Sequence, residues 1–117
     1  MGDFEELRVW KRAKNLAVGI YKLTTTSRQF STDFGLRDQI RRASVSIPSN
    51  IAEGDESGTN KQAIKFFNIA KGSTAEVLTQ AIIACEIGCI TEDQFDSIKT
   101  ECNIIGKMLT KLIQARK

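Results

Sequence analysis

Apolar residues fall along this chain at helical spacing, in four long blocks. In the first, Val9, Ala13, Leu16, Ile20 and Leu23 recur every three or four positions, widened by Leu7, Trp10, Ala17 and Tyr21. Lys11, Arg12, Lys14 and Lys22 take the other side. This pattern predicts helix one from Phe4 to Ser27, with Asp3 and Glu6 at capping-box spacing. Residues 24–33, TTTSRQFSTD, lose the period, and their Ser and Thr side chains favour turns and caps, so a longer connection is expected there.

Leu36, Ile40, Ala43, Ile47 and Ile51 mark the buried side of helix two, predicted from Phe34 to Glu53. Pro48 falls inside it, has no N–H for the carbonyl of Ser44 and crowds that carbonyl with its ring, which predicts a kink. Gly54 is expected to end the helix, with residues 54–58 as a turn. Helix three is expected to start at Thr59, with Gln62 at the capping-box position, and to stop at Gly88. Ala63, Phe66, Phe67, Ala70, Val77, Leu78, Ala81, Ile82 and Cys85 give it a broad apolar stripe. Gly72 lies in its middle, where glycine costs about 1 kcal/mol against alanine, a cost that is bearable if a neighbouring helix crosses closely there. Helix four starts at Thr91, with Gln94 completing a capping box, and its Phe95, Ile98, Cys102, Ile105, Leu109 and Leu112 repeat suits shallow-angle packing. No strand-like alternation, repeat or low-complexity tract interrupts the pattern. The expectation is all-α: an up-down-up-down four-helix bundle forming one domain over residues 1–117.

Composition agrees, since 41% apolar and 26% charged residues are ordinary for a globular chain. No apolar run is long enough to span a membrane, and the opening MGDFEELRVWKRAKNL does not read as a secretory signal. Cys85, Cys89 and Cys102 sit on apolar helical positions and read as reduced core thiols, which points to the cytoplasm. Cys85 and Cys89 are one turn apart, but with no histidine in the chain nothing completes a metal site, and no cofactor is expected.

Catalytic signatures are missing too. Without histidine the commonest general base at neutral pH is absent, and no G-x-S-x-G, P-loop or G-x-G-x-x-G occurs, so an enzyme is not expected. Glu5, Glu6, Glu92 and Asp93 lie in first turns, where negative charge suits the helix dipole.

Charge changes the picture more. The chain carries a net +3, and residues 1–50 hold nine Lys/Arg against five Asp/Glu, an excess of +4. Arg37, Arg41 and Arg42 crowd two turns of helix two, with Arg37 and Arg41 on one face, where like charges repel. Two readings compete. In one, these arginines pair with Asp38, Glu53, Glu76 or Glu86, within the chain or in a neighbouring subunit. In the other, they join Lys11, Arg12 and Lys14 in a basic strip for a phosphate backbone. Ser44, Ser46, Ser49 and Asn50 surround Pro48 and read as partners for backbone groups that the proline frees, or as an interface with Glu53. Trp10, Tyr21, Phe66 and Phe67 read as core or subunit packing ahead of a platform for bases.

The F-x-x-L-x-V-W at Phe4 to Trp10, the run LRDQIRRASVSIPSNIAEG at Leu36 to Gly54 and IAKGSTAE at Ile69 to Glu76 resemble the four-helix-bundle proteins encoded by intervening sequences of 23S rRNA. The resemblance covers nearly the whole chain. It implies a bacterial bundle that assembles as a homopentamer, with relatives among the accessory variability determinant proteins of diversity-generating retroelements, which bind nucleic acid and a reverse transcriptase. The positions matching the family's motif are Gln39, Arg41, Arg42, Ser46, Pro48, Asn50, Glu53, Gly54, Gly72, Ser73 and Glu76. The family brings no catalytic residues. The partners to expect are further copies of the chain, RNA or DNA, or a protein, with no membrane. A protein-binding scaffold without nucleic-acid contact is the alternative.

Overall fold

A computed structural model describes residues 3–117, and those residues form five α-helices and one 3-10 turn, with no strand among them. The turn spans Phe4–Glu6, followed by α1 (Arg8–Thr26), α2 (Arg28–Thr32), α3 (Phe34–Glu56), α4 (Asn60–Glu86) and α5 (Glu92–Ala115).

The start of the first helix departs from expectation. Asp3 makes no side-chain cap bond, and Leu7 adopts extended backbone between the 3-10 turn and α1. Packing overrides the capping signal here: Phe4 sets its ring edge-on to Trp10, with centroids 5.2 Å apart, and Leu7 lies against the core.

The expected connection at residues 24–33 holds the short α2. Phe30, the one strongly apolar residue there, is fully buried. Ser27 caps the helix by accepting from the Phe30 N–H, and its own hydroxyl donates to the Cys89 carbonyl at 2.8 Å. Gln29 donates to the Ile87 carbonyl at 2.8 Å. Thus α2 closes one end of the core and is tied to the α4–α5 turn.

Gly54 does not end its helix; α3 continues to Glu56. The residue is small for a different reason. A Cβ there would stand 2.5 Å from Cε1 of Phe67 and 3.2 Å from the Ala63 carbonyl oxygen. A close crossing is therefore found at Gly54, while no helix crosses closely at Gly72, where a Cβ would meet nothing within 4 Å. Pro48 is buried inside α3 without ending it. Asn50 donates to the carbonyl of Ser46 at 2.8 Å and not to that of Ser44, the one Pro48 leaves without its usual donor.

The later helix ends follow the sequence more closely. Gly88 stops α4 in the left-handed region, at φ +85, with the Cys89 N–H reaching back to the Ala84 carbonyl. Thr59 accepts from the Gln62 N–H, but only at Thr91 is the box complete: Gln94 N–H donates to the Thr91 hydroxyl at 3.1 Å, and Thr91 N–H donates to the Gln94 side chain at 2.9 Å. Thr91→Ala is expected to cost about 1 kcal/mol of stability, read as a lowered urea midpoint with unchanged slope.

The four long helices pack in a closed order. α3 lies most extensively on α4, α4 on α5 and α1 on α3, while the seam from α1 to α5 is thinner. Ile20, Ile40, Ile47, Ile51, Phe67, Val77, Ile105 and Leu109 fill the centre and are almost wholly shielded from water. The result is a rod 43 × 21 × 20 Å. α1 and α4 occupy opposite sides of it, so their outer faces look in different directions.

Candidate nucleic-acid interface

Helical geometry separates the basic residues that the sequence groups together. Lys11, Lys14 and Lys22 lie on the exposed face of α1. Lys11 stands 4.0 Å from Glu6, and Lys14 donates to the Asn15 side chain at 2.9 Å. Arg12 points the other way. Its Nη1 donates to both oxygens of Glu101, at 2.9 and 2.7 Å, across the thin α1–α5 seam. An ion pair this open to water is worth at most about 1 kcal/mol, yet it neutralises Arg12 and removes it from the strip.

Of the α3 arginines, Arg41 reaches α1 and Arg37 reaches α2. Arg37 donates from Nε to Asp38 at 2.9 Å and from Nη1 to the Ser31 carbonyl at 3.1 Å, with its guanidinium carbon 4.8 Å from the Phe34 ring centroid. Arg41 is held more fully. Its Nε donates to the Thr24 hydroxyl at 2.8 Å and its Nη2 to the Thr25 hydroxyl at 3.1 Å. Those hydroxyls donate onward to the Ile20 and Tyr21 carbonyls, both at 2.8 Å, so each is fixed in an orientation that accepts from the arginine. The guanidinium also stacks on Tyr21, 4.7 Å from its centroid. Arg42 is exposed. Among the described residues the ion pairs are Lys11–Glu6, Arg12–Glu101, Arg37–Asp38 and Arg116–Asp55. Arg41, Arg42, Lys14 and Lys22 are in none of them. Of Asp38, Glu53, Glu76 and Glu86, only Asp38 holds one of the three clustered arginines within the chain.

The positive groups thus form a strip and not a single cluster. Ten residues of α1 separate Lys14 from Thr24, roughly 15 Å at helical rise. The strip runs from Lys11 and Lys14 past Lys22 to Arg41 and Arg37, where α1 meets the start of α3.

The motif residues other than Arg41 and Arg42 lie elsewhere. Ser46 and Ser73 share a 2.8 Å hydrogen bond across the α3–α4 seam, Asn50 donates to the Ser46 hydroxyl at 3.0 Å, and Gln80 donates to Gln39 at 3.4 Å. Gly54 lets the same seam close, Pro48 is buried in α3, and Glu53, Gly72 and Glu76 are exposed. Gln39, Ser46, Asn50, Gly54 and Ser73 thus lie at contacts between α3 and α4, while no such contact involves Glu53, Gly72 or Glu76 among the described residues.

The aromatic residues divide. Phe67 is core, Trp10 and Phe66 are half-buried, and Tyr21 is 45% exposed and packs on Arg41, not on the core. Phe34, which the apolar pattern passes over, is 63% exposed. Its signal in the sequence is an aromatic three residues before an arginine on one helix face.

Burial, with the Glu101 charge second, pushes the Cys102 thiol up to about 12, so it stays protonated near neutral pH. Cys85 and Cys89 are raised as well, first by burial and then by carboxylates: Glu92, Asp96 and Glu86 beside Cys85, and Asp33 beside Cys89. No group of three or more Cys, Asp or Glu among the described residues is arranged to hold a metal ion. A groove of about 350 Å³ between α1 and α5 is lined mainly by Leu16, Ile20, Leu23 and Ile98, and its one charged side chain is Glu101, already bonded to Arg12. Among the described residues no helix is long and apolar enough to cross a membrane.

The family described as 23S rRNA-intervening sequence protein matches residues 5–111. One similar solved structure is the crystal structure of a protein with unknown function from the S23 ribosomal protein family of Bacteroides thetaiotaomicron. It is 27% identical, has a TM-score of 0.84, and the match covers 90% of this chain and 97% of that one. No curated protein matches the chain.

Proposed function

The chain belongs to the 23S rRNA-intervening sequence protein family, and from that premise we propose that it is a non-enzymatic four-helix bundle that binds RNA or DNA phosphates. It does so in the cytoplasm as a homo-oligomer, a pentamer by the family resemblance. The observation that carries this reading is Arg41. Two threonine hydroxyls and a tyrosine ring hold its guanidinium in place, and no carboxylate neutralises it. A cation ordered by neutral partners keeps its full charge for an incoming anion and loses little side-chain freedom on binding it. Arg42, Lys14 and Lys22 extend the positive surface, Lys11 adds to its far end, and Arg37 is part-neutralised by Asp38.

Self-association fits the same geometry. Ile69, Ile82 and Ile83 of α4 and Ile87 just after it are exposed, and α4 lies opposite α1. Copies joined through α4 would keep the basic strip facing outward and multiply its charge around a ring. Those exposed isoleucines also support the second reading, a scaffold that holds a protein partner such as a reverse transcriptase without touching nucleic acid.

Charge removal tests the phosphate reading. Arg41→Gln and Arg42→Gln are each expected to weaken binding uniformly across sequences and to lower the log–log salt slope by about 0.7–0.9. Arg12→Gln is expected to change neither, because Arg12 is already bonded to Glu101. Wild-type affinity and slope in the Arg41 and Arg42 variants, at unchanged oligomeric mass, would remove these residues from the site. A protein partner retained from lysate after nuclease treatment, with no nucleic acid copurifying, would favour the scaffold.

A further inference from the structure

Two exposed aromatic rings sit at the arginine-rich end of the strip, and each carries a guanidinium on one face. Arg37 lies 4.8 Å from the centroid of Phe34, and Arg41 lies 4.7 Å from that of Tyr21. The two arginines are one turn apart on α3, which puts their own Cβ atoms about 6 Å apart and both stacks at the same end of the strip. We infer that these paired stacks form a platform for unpaired bases, so that the ligand of the strip is single-stranded nucleic acid; this rests on the phosphate-binding reading and names the form of its ligand.

Exposure is the first support. A phenylalanine 63% open to water and a tyrosine 45% open leave apolar ring area unburied in the free chain. Neither ring lies against the core. Each has one side occupied by a cation and much of its remaining surface free. Bases stack on aromatic rings and on guanidinium planes alike, and single-strand sites interleave such planes with positive charge. A duplex keeps its bases paired and stacked inside, so it meets the phosphate contacts but offers no base face to the rings.

Charge is the second support. Between Tyr21 and Arg42 the cations Lys22, Arg28, Arg37, Arg41 and Arg42 outnumber the carboxylates Asp33 and Asp38. Asp33 is turned inward as the cap of α3, accepting from the Leu36 N–H at 3.1 Å. Asp38 holds Arg37. An extended polyanion therefore meets a positive surface beside both rings. A single strand brings a flat base beside every phosphate, whereas an acidic protein surface brings carboxylates without an aromatic plane attached to each.

The test compares oligouridine, oligothymidine and a duplex, each fluorescently labelled, at matched salt on the full chain. Tighter binding of either single strand than of the duplex supports the platform and says which strand it takes. Phe34→Leu and Tyr21→Leu keep apolar bulk but remove the flat face. Phe34→Leu is expected to weaken single-strand binding about tenfold while leaving the salt slope and duplex affinity unchanged, whereas Tyr21→Leu, which also loosens Arg41, is expected to weaken single-strand binding by a larger factor than duplex binding. Tyr21→Phe keeps the ring and is expected to bind as the wild type does. Equal affinity for duplex and single strand, or leucine variants that bind single strands normally, would overturn the platform and leave phosphate binding standing. A fall in oligomeric mass on Phe34→Leu would also overturn it, by assigning the ring to a contact between copies. Failure of the wild type to bind any of the three, even at low salt, would instead reject the phosphate reading beneath it.

Discussion

Gly54→Val is expected to destabilise the protein by about 3 kcal/mol, seen as a fall of roughly 10 °C in the thermal midpoint. The first added carbon alone would stand 2.5 Å from Cε1 and 2.8 Å from Cδ1 of Phe67. That ring is fully buried and cannot swing into solvent. The third neighbour, the Ala63 carbonyl oxygen at 3.2 Å, is backbone of α4 and moves only if the helix moves. α3 must therefore shift away from α4 along the largest helix contact in the molecule. Helix propensity works against this cost, since glycine inside a helix is about 1 kcal/mol worse than alanine. Valine recovers less of that than alanine does and brings more bulk, which is why it gives the clearer result. An unchanged midpoint would mean that the two helices are not in close contact at this point.

Phe67→Ala is expected to cost about 4 kcal/mol for the complementary reason. Here the wall of the same contact is removed, and the cavity lies between helices that other residues still hold apart. The ring also carries a surface cluster: Arg116 lies 5.7 Å from its centroid, 3.5 Å from Asp55 and 3.4 Å from the Asn60 side chain. Truncation takes the support from under the guanidinium that ties the end of α5 to the α3–α4 turn. Against the roughly 5–15 kcal/mol that stabilises typical domains, this is a large share. In urea it should appear as a lower midpoint. Combined with Gly54→Val the costs should not add, because without the ring most of the clash is gone. Additive costs would show that the glycine and the ring act separately.

The existence of the long helices was legible because each buries one stripe, and a stripe leaves a period of three and four in the sequence. Their ends were less legible. Thr91 and Gln94 formed their box, since nothing else competes for either side chain. Asp3 and Glu6 have the same spacing and did not: Asp3 makes no side-chain cap bond, and the chain there forms a 3-10 turn that sets Phe4 against Trp10. The glycines show the same limit. Gly54 and Gly72 both lie within helices, and only the pairing of α3 with α4 says which of them faces a ring. α2 was hidden because its helix is built around a single buried residue, Phe30, too little to leave a period.

The charged surface divides in the same way. The excess of cations in the first half of the chain was plain, but their partners depend on which side of a helix each occupies. Arg12 sits between Lys11 and Lys14 in the chain, yet a rotation of about 100° per residue turns it toward α5 and Glu101. Arg41 looked like a candidate for a carboxylate and is held by hydroxyls, a contact that requires the end of α1 to lie beside the start of α3. Tyr21 belonged to an apolar stripe by spacing, but it lies at the edge of that stripe, where it meets the arginine and the solvent. Phe34 lay at the start of a helix, ahead of the stripe that defined it, and so drew no notice.

The claim on which the rest depends is that this strip meets phosphates. It is tested most directly by fluorescence anisotropy of labelled structured RNA and duplex DNA, at stepped salt, on wild-type protein of measured oligomeric mass. Roughly micromolar or tighter binding that weakens steeply as salt rises is expected, with a log–log slope that counts the phosphates neutralised. Absence of binding even at low salt would contradict it, and would leave Arg41 as a strut between α1 and α3.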